Sequence, residues 1–155
     1  MLTTGCHMPN RASKMTELVL ALFRANGALL AMGDALVEPL GLTSARWQVL
    51  GAIALAEDPQ TVPAIARAMG LTRQGVQKQV DRLLEEGRVV LTSNPSHRSS
   101  PLVSLTSEGR STYAKADRKW NERAQQLASH HKLEQLEAAR GVLHRLVRSL
   151  EDSTW

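Results

Sequence analysis

The stretch that decides the fold runs from residue 61 to residue 106 and reads TVPAIARAMGLTRQGVQKQVDRLLEEGRVVLTSNPSHRSSPLVSLT. Its pattern predicts a short helix, a turn, a second helix and a β-hairpin. A helix-turn-helix followed by a β-ribbon is typical of a winged helix, whose second helix can lie in the major groove of DNA. The order of these elements therefore predicts a DNA-binding protein.

Helix-ending and turn-forming residues divide this stretch into its elements. Pro63 fits the first turn of the first helix, where its missing N–H costs little, and Gly70 fits the position just after its end. Thr72 is a good N-cap for the second helix, and Gly87 ends it. The predicted core face of that second helix consists of Val76, Val80, Leu83 and Leu84.

The hairpin is predicted from two short apolar runs with a polar tip between them. Residues 89–91 and 102–105 read as strands, and residues 94–101 are rich in turn formers. Thr61 and Val62 can add a short third strand to this wing.

Amphipathic helices are predicted on both sides of this core. The fold class is mainly α with a small β-wing. We expect a flexible N-terminal arm over 1–13 and one domain over 14–155, with a DNA-binding lobe at about 43–106 and dimerisation helices at about 14–40 and 107–152. The apolar stripes of these outer helices exceed what so small a core can cover, which favours a homodimer.

Composition narrows the class of protein. The chain of 155 residues is 43% hydrophobic and 22% charged, which is ordinary for a folded soluble protein. Its net charge is +4, and residues 61–110 hold seven basic and four acidic residues, a net of +3. A basic surface favours a polyanionic partner. No apolar run of about 18 residues and no secretory signal are evident, so we expect a cytoplasmic protein without a membrane span.

Three segments together resemble the MarR family of bacterial transcription regulators. They read LTSARWQVLGAIA at 42–54, TVPAIARAMGLTRQGVQKQVDRLLEEGRVV at 61–90, and NPSHRSSPLVSLTSEGR at 94–110. The resemblance implies a homodimer that binds an approximately palindromic stretch of double-stranded DNA. It also implies that the protein represses genes and is released by a small-molecule effector or an oxidant.

The wing departs from the family pattern. Family members commonly carry Asp-x-Arg there, and this chain has His97 and Ser99 at those two places. The departure motivates an alternative function, a winged-helix protein-interaction module or a dimer with lost or altered DNA binding. An enzyme is not expected, because the sequence has no Gly-rich phosphate loop, nucleophile elbow or paired His and carboxylate motif.

The candidate DNA contacts lie mainly on the second helix of the motif. Arginine can bind guanine and glutamine can bind adenine, so base reading is assigned to Arg73, Gln74 and Gln77. Lys78 and the Thr72 hydroxyl are phosphate candidates. The remaining candidates are Ser44, Arg46 and His97 for phosphate and Arg98 for the minor groove. The alternatives are a solvated helix face and exposed loop charges.

Other residue types suggest further sites. Trp47, Tyr113 and Trp120 can line a ligand pocket, although aromatic residues at helical spacing also form cores. The single cysteine, Cys6, excludes an internal disulfide, and it is either a thiol sensor or a plain thiol in the arm. The histidines show no metal-ligand spacing, so neither a metal nor a cofactor is expected.

Overall fold

The computed structural model describes residues 10–152, which form six α-helices and one three-stranded sheet. The elements are α1 (Arg11–Val37), a 3-10 turn (Glu38–Leu40), α2 (Ser44–Ala54), β1 (Gln60–Thr61), α3 (Val62–Met69), α4 (Arg73–Glu85), β2 (Val89–Thr92), β3 (Leu102–Leu105), α5 (Ser107–Ala128) and α6 (Leu133–Asp152). This arrangement confirms the predicted fold class, mainly α with a small β-wing.

The chain divides inside α5, between Ala116 and Asp117, into two units. The first contains the winged helix, and the second contains the end of α5 and all of α6. The predicted organisation as one domain over 14–155 stays a prediction.

Side-chain caps begin α2 and α4, and the cap of α4 is the one that the sequence predicts. The Thr43 hydroxyl oxygen accepts a hydrogen bond from the Arg46 N–H at 3.3 Å, at the start of α2. The Thr72 oxygen accepts from the Gly75 N–H at 3.1 Å and starts α4. Such caps satisfy N–H groups that have no partner inside the helix.

Thr106 starts α5 and also joins two parts of the fold. Its hydroxyl oxygen accepts from the Gly109 N–H at 3.0 Å, and its O–H donates to the Gly87 carbonyl at 2.7 Å. Its own N–H donates to the Arg88 carbonyl at 3.1 Å. The segment after α4 and the start of α5 are therefore tied together at the root of the wing.

The first helix begins earlier than predicted. The Asn10 side-chain oxygen accepts from the N–H groups of Ala12 at 2.6 Å and Ser13 at 3.0 Å, so α1 starts at Arg11. The predicted arm over 1–13 is therefore wrong at its end, because this cap recruits residues 11–13 into the helix.

The sheet is antiparallel, with strand order β1-β3-β2. Val89 lies opposite Leu105, and Thr92 lies opposite Leu102. The short third strand is one residue earlier than predicted, at Gln60–Thr61 instead of 61–62. The reason is that Thr61 also caps α3, which begins at Val62.

The core lies entirely within the first unit. The predicted inner face of α4 is confirmed, because Val76, Val80 and Leu83 have no exposed surface and Leu84 is partly buried against them. The buried apolar residues of the described chain are Val37, Leu42, Val49, Leu50, Ile53, Val62, Ile65, Ala66, Val76, Val80, Leu83, Val89, Val103, Leu105 and Ala116.

Two glycines allow close helix packing in this unit. A Cβ placed on Gly33 of α1 would lie 2.6 Å from the Ser44 hydroxyl oxygen of α2. A Cβ placed on Gly109 of α5 would collide with the Arg88 carbonyl, with only 2.9 Å to its carbon. Both positions bring a helix against a neighbour at a distance that a larger residue would prevent.

The helical stretch Arg11–Leu40 is, by length and composition alone, apolar enough to cross a membrane. This differs from the expectation that no such segment exists. Arg24 and Asp34 interrupt the stretch but leave long apolar runs on either side. A helix that packs against protein on several sides has the same composition.

Candidate nucleic-acid interface

The outer side of α4 carries the predicted base-reading residues. Its inner side is buried, so the opposite side faces solvent. The structure brings the predicted contacts together on this exposed surface, in an open depression lined by Arg73, Gln74, Gln77, Lys78, Asp81, Arg82 and Glu85.

The start of α4 is suited to an anion. Thr72 is exposed, and its hydroxyl oxygen is already occupied by the cap to the Gly75 N–H. The first N–H groups of a helix point outwards with a partial positive charge, which attracts phosphate. A Cβ on Gly75 would lie 3.0 Å from the Thr72 oxygen, so glycine leaves room for this cap.

Gln77 is held in place by a neighbour on its own helix. Its side-chain nitrogen donates to Asp81 Oδ1 at 2.7 Å. The i, i+4 spacing of these two residues is the signal from which this contact can be predicted. A side chain held in this way loses less conformational freedom when it binds a base.

Ser44 does not fit its predicted role as a phosphate contact. Its side chain is buried, with 4% of the residue exposed, because α1 packs tightly against the start of α2. Its N–H donates to Asp34 Oδ1 at 2.6 Å, and its hydroxyl oxygen accepts from the Gln48 side chain at 3.2 Å. The residue joins α1 to α2 instead.

Arg46 lies at the surface beside α4, but it already has an acidic partner. Its guanidinium forms an ion pair with Glu86. A second oxygen of Glu86 lies 3.4 Å from Arg88, and Arg88 also donates to the Leu40 carbonyl at 2.9 Å. We call Arg46, Glu86 and Arg88 the Glu86 cluster. Sequence reasoning missed it because 40 residues separate Arg46 from Glu86.

The tip of the wing is shaped by a residue that the sequence did not single out. The Asn94 side chain accepts from the Ser96 N–H at 3.0 Å and donates to the Ser100 carbonyl at 2.9 Å. These two hydrogen bonds close the loop around His97 and Arg98, which are both exposed. The sequence signal for this closed loop is Asn94 followed by Pro95, because an Asn-Pro pair favours the start of a turn.

The aromatic residues divide between the two units. Trp47 and Tyr113 are partly buried against the core of the first unit, whereas Trp120 belongs to the second. The first unit also contains an open cavity of about 370 Å³, which Tyr113 lines and Trp47 does not. Its lining consists of Ile53, Ala54, Ala56, Glu57, Asp58, Pro59, Val103, Ser104, Leu105, Arg110 and Tyr113.

Two further predictions concern redox and metal chemistry. Cys6 lies outside the described residues, so its proposed sensing role stays a prediction. Within residues 10–152, no group of three or more His, Cys, Asp or Glu side chains is placed to hold a metal ion.

Comparisons with known proteins indicate the family and the fold of the chain. The sequence model of the MarR family matches residues 40–98, which include α2, α3, α4, β2 and part of the tip of the wing. An uncharacterized protein of Mycobacterium tuberculosis is 39% identical over 99 residues, which are 64% of this chain and 68% of that protein. The transcriptional activatory protein BadR of Rhodopseudomonas palustris is 30% identical over 96 residues, which are 61% of this chain and 55% of BadR.

A solved structure shows the same fold. The crystal structure of CouR from Rhodococcus jostii RHA1, bound to p-coumaroyl-CoA, superposes with a TM-score of 0.71. The match covers 89% of this chain and 94% of CouR, at 23% sequence identity.

Proposed function

The chain belongs to the MarR family, whose members are DNA-binding transcription regulators and not enzymes, and from that premise we propose that it acts as a homodimeric, effector-responsive repressor. Its proposed target is an approximately palindromic operator. The observation that carries this proposal is the exposed, polar outer side of α4, whose opposite side is buried at Val76, Val80 and Leu83.

The proposed contacts follow from where the side chains lie. Arg73, Gln74 and Gln77 read bases in the major groove, and Lys78 and Thr72 bind phosphate. Over residues 10–152, neither Arg73 nor Lys78 has an acidic side chain within 4.0 Å, so their charges are available to DNA. At the wing, Arg98 reaches towards the minor groove and His97 towards phosphate.

The proposed homodimer rests on apolar side chains that the described chain leaves exposed. In α1 they lie on more than one side of the helix, which calls for covering by more than one surface. Those in the outer helices are Met15, Leu18, Leu20, Phe23, Leu29, Leu30, Leu127, Leu133, Leu136, Val147 and Leu150. A dimer presents two copies of α4 to successive major grooves when they are about 34–36 Å apart.

The proposed response to an effector has a structural basis in the cavity lined by Tyr113. The cavity is bounded by β3, the strand at the base of the wing, and by Arg110 at the start of α5. A small molecule bound there would contact both elements and can favour one arrangement of the wing over another. CouR with its bound p-coumaroyl-CoA supports effector binding as a property of this fold. The proposed location is the cytoplasm, with DNA and not a membrane as partner.

An alternative is favoured by the unusual wing. His97 and Ser99 stand where the family commonly has Asp and Arg, and the tip is closed by Asn94 instead. In this alternative the protein is a winged-helix interaction module, or a dimer whose DNA binding has been lost or altered.

The test measures DNA affinity across a salt series by fluorescence anisotropy. Wild type, Arg73→Ala and Lys78→Ala are compared on DNA from upstream of the protein's own gene and on a scrambled duplex. Lys132→Ala is the matched control, because Lys132 is exposed and lies in the turn before α6. Each phosphate contact contributes about 0.9 to the slope of log affinity against log salt, so Lys78→Ala should make the slope of the proposed dimer shallower by about 1.8, or about 0.9 for each copy of Lys78.

Arg73→Ala should lower affinity for the upstream DNA about tenfold for each of the two copies of Arg73 in the proposed dimer, and affinity for the scrambled duplex less, because each bidentate contact to guanine contributes about 1–3 kcal/mol. Lys132→Ala should match wild type. An affinity that does not change with DNA sequence, with salt or with any of the three substitutions would instead support the interaction-module alternative.

A further inference from the structure

A basic residue lies beside the proposed DNA surface without being available to DNA. Arg46 is in the first turn of α2, in a depression that it shares with Lys78 and Arg82 of α4. An arginine at this place would ordinarily be a good phosphate contact.

Glu86 forms an ion pair with that arginine. The Arg46 side chain is 19% exposed and the Glu86 side chain 27%, so the ion pair is largely shielded from solvent. Glu86 also faces Arg88, whose guanidinium is anchored to the Leu40 carbonyl. In the described part of the chain, Glu86 is the one acidic residue within 4.0 Å of either arginine.

The adjacent residue provides a natural contrast. Glu85 pairs with Arg82 at 2.7 Å, but these side chains are 63% and 64% exposed. An exposed pair is weakened by water and salt and opens readily, so Arg82 can leave Glu85 for a phosphate. Breaking the shielded pair would instead leave Glu86 with one fewer partner, which is costly.

We propose that Glu86 is a positioning residue that withholds Arg46 from the DNA backbone and so limits the sequence-independent part of binding. This inference rests on the proposed function. A phosphate contact from Arg46 would form on any duplex, because phosphates carry no sequence information. Withholding it lowers binding to other DNA and leaves the base contacts of α4 to select the operator.

The experiment compares Glu86→Gln with Glu85→Gln on a scrambled duplex across a salt series. Both substitutions remove one negative charge near the interface, so their difference isolates the release of Arg46. Glu86→Gln should steepen the salt slope of the proposed dimer by about 1.8, or about 0.9 for each copy of Arg46, and raise affinity roughly fivefold to tenfold for each copy at 0.1 M salt. Glu85→Gln should leave the slope close to that of wild type. Adding Arg46→Ala to Glu86→Gln should return the slope to the wild-type value.

Several results would overturn the inference. They are an unchanged or shallower slope for Glu86→Gln, a steepening that Glu85→Gln shares, and a steepening that survives Arg46→Ala. If Glu86→Gln fails to fold, the single variants are the test: Arg46→Ala should keep the wild-type slope, while Lys78→Ala should make the slope shallower by about 1.8, or about 0.9 for each copy of Lys78. A loss from Arg46→Ala equal to that from Lys78→Ala overturns the inference. Failure of the proposed function is distinct, because wild type itself would then show no salt-dependent binding.

Discussion

The winged helix and the outer helices use the same kind of apolar periodicity in opposite ways. All fifteen buried apolar residues of the described chain lie between Val37 and Ala116. In contrast, α6 has no buried residue over Leu133–Asp152, and the buried residues of α1 are Gly33 and Val37, near its end. The first region is stabilised by its own chain. The second leaves apolar side chains exposed, and the proposed homodimer would cover them.

The packed region is tested most severely at the start of α5, by Gly109→Ala. The new Cβ would collide with the Arg88 main chain, which cannot move without disturbing the start of β2. We expect unfolding free energy to fall by roughly 3 kcal/mol, at the upper end for overpacking, as measured by urea denaturation. Gly141→Ala in α6 is the control. Its Cβ would meet only the flexible end of Arg145, and helix propensity should stabilise it by up to about 1 kcal/mol. Equal changes in unfolding free energy for Gly109→Ala and Gly141→Ala would show that the two regions do not differ in packing.

The outer helices are tested by placing a charge on the most exposed of the large apolar side chains of α1. Phe23 is 68% exposed. Because covering a phenylalanine contributes about 1.5–3 kcal/mol, Phe23→Glu should weaken self-association at least tenfold and leave the winged helix folded. Analytical ultracentrifugation measures this change. Leu55→Glu is the matched control, since Leu55 is 78% exposed but lies just after α2, and it should leave association unchanged.

A sharper comparison lies within α1 itself, between its two glycines. Gly33→Ala would press a Cβ against Ser44 and should destabilise the fold by about 1–2 kcal/mol. A Cβ placed on Gly27 would have nothing within 4 Å, so Gly27→Ala should stabilise α1 by up to about 1 kcal/mol. Thermal denaturation of both variants checks the opposite signs. The same sign for both would show that α1 does not change environment along its length.

The smallest expected effect is at the tip of the wing, which is held by the hydrogen bonds of Asn94 and not by apolar packing. Asn94→Ala removes both hydrogen bonds across the tip and should lower DNA affinity about fivefold, equivalent to about 1 kcal/mol. Urea stability should stay within about 0.5 kcal/mol of wild type, because the tip lies outside the core. In an Arg98→Ala background the same change should have little further effect. An undiminished fivefold loss there would show that Asn94 acts independently of Arg98.

The parts of the fold that the sequence predicts are those controlled by neighbouring residues. Thr72 caps α4, Gly70 takes the left-handed conformation with a φ of 62°, and α4 turns its apolar side inwards. Each of these follows from interactions within a few residues. The same local rules extend to the grouping of Arg73, Gln74, Gln77 and Lys78 on one side of α4.

The parts that the sequence does not predict depend on residues far apart in the chain. Ser44 is a small polar residue of a kind usually found at the surface, but the close approach of Gly33 buries it. The sequence around Arg46 suggests an unpaired cation, but the fold places Glu86 beside it as an ion-pair partner. No periodicity or capping rule contains this information, because it depends on how helices pack.

The hydrogen bonds of Thr106 have a consequence for how the wing can change in evolution. They join the chain entering the hairpin at Gly87 and Arg88 to the chain leaving it at α5. A hairpin that is fastened at its base can gain or lose residues at its tip without moving the helices on either side. Insertions between residues 93 and 101 can therefore change how far the wing extends without changing the position of α4.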